Sequence, residues 1–137
     1  LSFNNKVCVI TGAGKGFGLD LSHRFRELGA KIGLITRSRE DAAMLEKVFS
    51  DAPESVMIFE GDVSDRKTVE TFKSALINRF TKIDVLINNA GMRFRRPFLE
   101  IKENEFTEVL NCNLVSMFHT CQAFLPEPKY CQHYRMK

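Results

Sequence analysis

The segment Thr11-Gly12-Ala13-Gly14-Lys15-Gly16-Phe17-Gly18 is the most informative part of this sequence. It follows the continuous apolar run KVCVIT at residues 6–11, which is typical of a strand buried on both faces. Apolar residues then recur at helical spacing, at Phe17, Leu21, Phe25 and Leu28, until Gly29 ends the pattern.

Glycines spaced G-x-x-x-G-x-G between a strand and a helix let the backbone turn sharply and approach a phosphate group closely. The start of the helix adds unpaired N–H groups and the positive end of its dipole, and Lys15 adds a charge within the loop. The alternative is a plain glycine-rich connection. Because the glycine pattern lies between a strand and a helix, a nucleotide-binding loop is the favoured interpretation.

Strand-like and helical stretches alternate along the rest of the chain. Residues 31–36, 55–60 and 83–88 have strand character, and residues 39–50, 66–80 and 103–125 have helical periodicity. Alternation with short connections predicts right-handed βαβ units. We therefore predict an α/β fold with a parallel sheet covered by helices on both faces.

Composition narrows the class of protein further. The chain has 137 residues, enough for one domain, and 44% hydrophobic and 27% charged residues, which excludes a disordered, collagen-like or coiled-coil chain. No apolar run is long enough to span a membrane, and polar residues 4–6 argue against a signal peptide, so we expect a cytoplasmic protein without membrane contact.

A net charge of +3 does not predict nucleic-acid binding. The four cysteines lack metal-ligand spacing, so we predict free thiols and no metal site.

Four motifs lie at the ends of these predicted elements. They are TGAGKGFG at residues 11–18, Asp62-Val63 after the third strand, Asn88-Asn89-Ala90-Gly91 after the fourth, and Asn113-Leu114 in the last helix. In this order they resemble the short-chain dehydrogenase/reductase family, from Lys6 to about Pro126. The resemblance implies a three-layer, doubly wound parallel sheet of Rossmann type, in the order 3-2-1-4, that ends after the fourth strand and the long helix. It also implies a nucleotide-binding domain over residues 1–126 and an unpatterned tail over residues 127–137.

The resemblance implies a role for each matched residue. The loop formed by Gly12, Gly14, Gly16, Phe17 and Gly18 would seat the cofactor's pyrophosphate, Asp62 and Val63 would contact its adenine, and Asn89, Ala90 and Gly91 would flank its nicotinamide-side ribose. Asn113 would be the catalytic asparagine, which positions a lysine and a water in a proton relay. On the residues alone, an asparagine on the apolar stripe between Val109 and Met117 is better explained as a structural one bonded to nearby backbone.

The end of the second strand indicates the cofactor. The sequence there is Thr36-Arg37-Ser38-Arg39, with no carboxylate before Glu40 to bind the ribose hydroxyl of NAD. A guanidinium group grips a 2′-phosphate in bidentate fashion, and Lys15 reinforces the preference. We predict NADP(H) over NAD(H), with Arg37 as the principal contact. The alternative is that these arginines are merely solvated.

Arg93, Arg95 and Arg96 follow the Asn-Asn-Ala-Gly motif, with Phe94 between them. Such a cluster could contact nucleic acid or an anionic substrate, but a solvated loop is the favoured interpretation. For His23, His119 and His133 we expect surface or packing roles.

The family's remaining catalytic residues have no match in this chain. Members use a tyrosine followed four residues later by a lysine, which lowers the tyrosine pKa, and a serine on the fifth strand. Here Tyr130 is followed four residues later by Tyr134, and Lys137 comes three residues after that. The residues after Pro126 are too few for a loop, a strand and the serine. We expect a premature or altered end, from a fragment, a frameshift or an alternative transcript.

Two hypotheses follow. In the first, the chain is the cofactor-binding half of an NADP(H)-dependent oxidoreductase that moves hydride between a carbonyl or alcohol and nicotinamide. Alone it would have little or no turnover because the catalytic acid/base is missing, and a small-molecule substrate would be a partner only when the missing half completes the chain. In the second, it is a catalytically inactive NADP(H)-binding or dimerisation module. The fourth strand would be an unpaired edge and the last helix would lose its cover, which favours association as a homo- or hetero-oligomer.

Overall fold

Four parallel strands form one sheet in the computed structural model, which describes residues 1–125. The strands are β1 (Val7–Thr11), β2 (Lys31–Thr36), β3 (Val56–Glu60) and β4 (Val85–Ile87), in the spatial order β3-β2-β1-β4. The predicted fold class and strand order are confirmed. The predicted tail 127–137, with Tyr130, Tyr134, His133 and Lys137, lies outside the described residues.

Helices connect the strands and cover both faces of the sheet. They are α1 (Gly16–Glu27), α2 (Arg39–Val48), α3 (Arg66–Phe80), α4 (Glu103–Leu110) and α5 (Ser116–Phe124), with a short 3₁₀ helix at Phe98–Glu100. The long helix predicted over residues 103–125 is interrupted by a π-helical segment at Asn111–Val115. Because a π-turn holds more residues than an α-turn, side chains before and after this segment do not keep one helical stripe.

The alternation of side chains along β1 divides the core into two layers. Val7 and Val9 pack with α3 side chains such as Phe72, whereas Cys8 and Ile10 pack on the other face with Leu45 of α2. All of these side chains are buried because the central strand is covered on both faces. The predicted helical face of α3 is confirmed, since Val69, Phe72, Leu76 and Phe80 are all buried.

The sequence analysis expected the fourth strand at an edge of the sheet and the last helix without its cover, and the described residues show both. β4 stands at one end of the sheet formed by the described residues. Along α4, the π-helical segment and α5, five large apolar side chains are between 40% and 63% exposed, namely Phe106, Leu110, Leu114, Met117 and Phe118. These apolar side chains are therefore left uncovered, whereas Phe124 at the end of α5 is buried.

The remaining expectations concern cysteines, metals and membranes. Cys8 is buried, and Cys112 and Cys121 are free thiols of intermediate exposure. In residues 1–125, no group of three or more His, Cys, Asp or Glu side chains is arranged to hold a metal ion. None of the helices in this part of the chain has the length and apolar character required to cross a membrane.

Candidate functional site

A cavity of about 560 Å³ opens beyond the carboxyl ends of β1, β2 and β3. Its volume is in the range of small-molecule and cofactor sites, and its position is the one where open α/β sheets bind ligands. The structure brings many of the predicted site residues together in its wall: Gly12, Gly14, Lys15, Phe17, Arg37, Asp62, Val63, Asn89, Ala90 and Gly91. Gly16, Gly18 and Asn113 are not among the residues that line it.

The segment from the end of β1 to the first turn of α1 contains two glycines, Gly12 and Gly18, at which a side chain would not fit. Gly12 has a φ of +63°, and a Cβ atom there would lie 2.7 Å from the Cα atom of Ala90. At Gly18, a Cβ atom would meet the carbonyl oxygen of Gly12 and the amide nitrogen of Asn89. The glycines thus allow the loop to lie directly against the segment that follows β4.

Thr11 and Asn89 hold these two segments together. The Thr11 hydroxyl accepts hydrogen bonds from the backbone N–H groups of Asn89 and Ala90, both at 3.0 Å. The side-chain amide of Asn89 also donates to the carbonyl oxygen of Gly12 at 3.0 Å. Asn89 therefore positions the loop as well as lining the cavity.

The N-terminus of α1 is open toward the cavity. Its N-cap residue, Lys15, caps no backbone N–H with its side chain, and the first turn holds no acidic residue. Phe17, in the first turn of α1, lines the cavity and is 69% exposed. Unpaired N–H groups, the helix dipole and the Lys15 ammonium together make this region favourable for an anion.

Asp41 is a cavity residue that the sequence analysis missed. It lies in the first turn of α2, where its backbone N–H donates to the Ser38 hydroxyl at 3.2 Å. Its side chain packs beside the glycine loop, so that a Cβ atom on Gly14 would lie 2.5 Å from the Asp41 Cβ. The spacing from Ser38 to Asp41 matches a helix-capping pattern, which is the signal that could have placed this carboxylate near the end of β2.

Arg37 lies between two carboxylates. Its Nη1 atom is 3.8 Å from Oδ2 of Asp62 and 3.7 Å from Oε1 of Glu108. The other carboxylate oxygen of Asp62 accepts from the backbone N–H and the hydroxyl of Ser64, at 2.8 and 2.7 Å. Glu108 belongs to α4, and nothing in the sequence pattern indicates that it reaches the end of β2.

Cys112 also lines the cavity. Burial raises the pKa of its thiol, the Arg37 guanidinium opposes this change, and the carboxylates of Asp62 and Glu108 add to it. The thiol therefore senses the same three charges that meet at the end of β2. The sequence analysis placed no function on this residue.

Asn113 is exposed and bonded to backbone. Its side-chain oxygen accepts from the N–H of Met92 at 2.7 Å, and its amide nitrogen donates to the carbonyl oxygen of Met92 at 2.9 Å. This geometry is that of a structural asparagine, which fastens the loop after β4 to the π-helical segment. Its role in a proton relay stays a prediction.

The arginine-rich loop divides in the structure. Arg96 forms an ion pair with Glu105 at 3.0 Å, and its guanidinium lies 5.7 Å from the ring centre of Phe94. Arg93 lines the cavity, whereas Arg95 is exposed and forms no ion pair in the described part of the chain. Of the histidines, His23 packs against Phe49 with ring centres 5.0 Å apart.

Comparison with known proteins identifies the class. The family model described as short chain dehydrogenase matches residues 6–132. The chain belongs to the short-chain dehydrogenase/reductase family. Among its relatives, the 1,2-dihydroxy-1,2-dihydronaphthalene dehydrogenase of Pseudomonas putida is 37% identical over 131 residues, which cover 92% of this chain and 49% of that protein.

Solved structures show the same likeness. A short-chain dehydrogenase/reductase from Burkholderia phymatum in complex with NAD has a TM-score of 0.84 and 30% identity, over 90% of this chain and 44% of that one. A gluconate 5-dehydrogenase from Burkholderia cenocepacia in complex with NADP and tartrate has a TM-score of 0.79 and 30% identity, over 90% and 48%. This chain spans about half the length of the relatives it matches.

Proposed function

We propose that the chain binds a nicotinamide dinucleotide in this cavity and prefers NADP(H) to NAD(H). The cavity lies where the fold favours a dinucleotide, beside an uncapped helix N-terminus and a glycine loop. Related structures hold NAD in one case and NADP in another, which supports the ligand class and leaves the choice between the two to the residues of this chain.

Each part of the cavity has a proposed role. The loop from Gly12 to Gly18 and the first turn of α1 seat the pyrophosphate, because no side chain of the N-cap residue caps the backbone N–H groups at the start of this helix. Asp62 and Val63, after β3, contact the adenine. The segment from Asn89 to Gly91 flanks the ribose on the nicotinamide side.

The observation that carries the NADP(H) preference is the position of Arg37. Arg37 follows directly on β2 in the wall of the cavity, and Lys15 lies in the same wall, in the loop after the neighbouring strand β1. A 2′-phosphate carries nearly two negative charges, which a guanidinium binds in a bidentate geometry. The carboxylate of Asp41 lies in the same wall and repels a phosphate, which reduces this preference. Asp41 belongs to α2, however, and does not stand at the end of β2.

For the whole protein we propose oxidoreductase activity of the family type. The cofactor, when bound, supplies or accepts a hydride, and a carbonyl or alcohol is the other reactant. Residues 1–126 form the nucleotide-binding domain in this proposal, and Asn113 contributes to the relay that moves the proton. The free thiols of the described cysteines are in keeping with a reducing compartment such as the cytoplasm.

The second candidate is a catalytically inactive NADP(H)-binding or dimerisation module. The terminal position of β4 in the sheet and the exposed apolar side chains along α4 and α5 favour it. Absorbance at 340 nm with a panel of carbonyl substrates separates the candidates, since only the enzyme consumes NADPH. Light scattering of the chain alone and mixed with a full-length relative tests association.

Titration with NADPH and NADH tests the binding proposal directly. The sequence contains no tryptophan, so nicotinamide fluorescence can be followed without indole emission. We expect saturable binding with NADPH at least about tenfold tighter, a factor that corresponds to 1.4 kcal/mol. Arg37→Met should reduce this ratio, and the matched variant Arg95→Met, on the exposed loop, should keep it.

Tighter binding of NADH by the wild-type chain would overturn the NADP(H) preference. Binding of neither nucleotide to a folded chain would overturn the proposed site as a whole.

A further inference from the structure

Glu108 of α4 pairs with Arg37, the residue that follows β2. Its Oε1 atom lies 3.7 Å from Nη1 of Arg37, the same nitrogen atom that lies 3.8 Å from the Asp62 carboxylate. Three segments that are distant in sequence therefore contribute one cation and two carboxylates to one cluster, of which Arg37 and Asp62 line the cavity.

A 2′-phosphate bound to Arg37 would have to share this guanidinium with both carboxylates. Each carboxylate competes for the same N–H donors and repels the phosphate, and neither effect acts on a cofactor that ends in a ribose hydroxyl. The side chains are about half exposed, with 58% for Arg37 and 51% for Glu108, so water screens the interaction to a modest size.

The two carboxylates differ in what else holds them. Asp62 accepts two hydrogen bonds from Ser64, which keep it in place whether or not Arg37 is present. Glu108 has no contact of this kind in the described part of the chain beyond its pairing with Arg37. Glu108 is therefore the member of the cluster whose charge can be removed with the least change to the rest of the site.

We propose that Glu108 is a specificity-determining residue of this site, whose carboxylate competes with the cofactor's 2′-phosphate for Arg37 and so weakens NADP(H) binding without affecting NAD(H). The inference rests on the proposed dinucleotide site. It assigns to α4 a part in cofactor choice that neither the glycine loop nor the end of β2 reveals.

The test is a comparison of Glu108→Gln with the wild-type chain, with NADPH and NADH as the probes. We expect Glu108→Gln to bind NADPH roughly threefold to tenfold tighter at low salt and NADH within about twofold of the wild-type value. The matched control is Glu103→Gln, an exposed carboxylate of the same helix that has no ion pair in residues 1–125. It should leave both affinities unchanged.

A second measurement needs no nucleotide. The pH dependence of Cys112 alkylation by iodoacetamide, followed on its peptide by mass spectrometry, reports the charges around the thiol. The Glu108 carboxylate raises the pKa of Cys112 and the Arg37 guanidinium lowers it, so Glu108→Gln should lower this pKa and Arg37→Met should raise it. An unchanged thiol pKa in Glu108→Gln would place the carboxylate outside the cluster and overturn the inference.

The outcomes separate the inference from the proposed function. A wild-type preference for NADPH that Glu108→Gln leaves unaltered overturns the role of Glu108 alone. An equal gain for both nucleotides also overturns it, because a competitor for the 2′-phosphate cannot act on NADH. If neither the wild-type chain nor the variant binds either nucleotide, both the role of Glu108 and the proposed dinucleotide site are overturned. If the wild-type chain shows no preference for NADPH and Glu108→Gln does, the result supports the role of Glu108 and refutes the proposed NADP(H) preference of the wild-type chain.

Discussion

Asn89 donates two hydrogen bonds to Thr11, one from its backbone and one from its side chain. The backbone N–H of Asn89 donates to the Thr11 hydroxyl at 3.0 Å, and the Asn89 side chain donates to the Thr11 carbonyl oxygen at 3.2 Å. The two residues are 78 positions apart in sequence. Thr11 ends β1 and Asn89 follows β4, and these two strands are neighbours in the sheet. Their pairing makes the glycine loop and the segment after β4 one unit.

Replacement of the Asn89 amide by a carboxylate should break this unit. In Asn89→Asp, an acceptor faces the carbonyl oxygens of Thr11 and Gly12, which then lose a donor. We expect the free energy of unfolding to fall by about 1–3 kcal/mol and nucleotide binding to weaken, measured by urea denaturation and NADPH titration. Asn104→Asp, on the exposed start of α4, is the control and should be nearly neutral. A stability equal to the wild type's in Asn89→Asp would contradict the importance of these bonds.

Two glycines of the loop separate backbone strain from steric contact. Both Gly12 and Gly16 have positive φ, at +63° and +54°, but only Gly12 has atoms within 4 Å of where a Cβ would lie. Gly16→Ala should cost about 1 kcal/mol of stability from strain alone. Gly12→Ala should cost at least about 1–2 kcal/mol more, because the methyl group meets the Ala90 backbone. Thermal and urea unfolding of both variants measure the difference, and equal losses would show that the two segments are not in contact.

The hydrogen bonds of Asn113 predict local rather than global effects. Asn113→Ala removes both side-chain bonds to Met92, which lies in the exposed loop after β4. Hydrogen exchange of the Met92 N–H should become faster, while global stability changes by only about 1 kcal/mol. Asn111→Ala, two residues earlier and without a side-chain bond in the described residues, is the matched control. If both variants protect the Met92 N–H equally, the asparagine does not fasten this loop.

Cys8 predicts a loss of stability at alkaline pH. Burial in β1, with the Asp84 carboxylate nearby, raises the pKa of its thiol from 9.0 to about 11. The folded chain keeps the proton that the unfolded chain releases above pH 9, so this contribution is full below pH 9 and declines as the pH rises toward 11. The decline should amount to roughly 2–3 kcal/mol.

Other groups titrate in the same range, so the difference between wild type and Cys8→Ala isolates the thiol. The variant is less stable at pH 7 because of the cavity, and its free energy of unfolding should fall less steeply between pH 9 and 11. Parallel curves for the two chains over this interval would refute an elevated thiol pKa.

Much of the fold could be predicted from residue patterns. The helix over residues 66–80 has the predicted bounds because its apolar residues repeat at one period and Asp65 caps its first turn, accepting from the N–H of Thr68 at 2.8 Å. Strand ends shifted by one or two residues, and β4 is shorter than expected. No sequence pattern predicts the interruption of the last helix at Asn111–Val115, because the apolar residues keep helical spacing on both sides of it.

Residue patterns alone predict the order of the elements and the loop at the end of β1, because periodicity, glycine spacing and strand composition are local properties of the chain. The pairing of Glu108 with Arg37, the place of Cys112 beside Arg37 in the cavity wall, and the hydrogen bonds between Asn113 and Met92 follow only from the tertiary structure. These contacts join residues that are 21 to 75 positions apart, whose proximity depends on how strands and helices pack, and no local pattern encodes that distance.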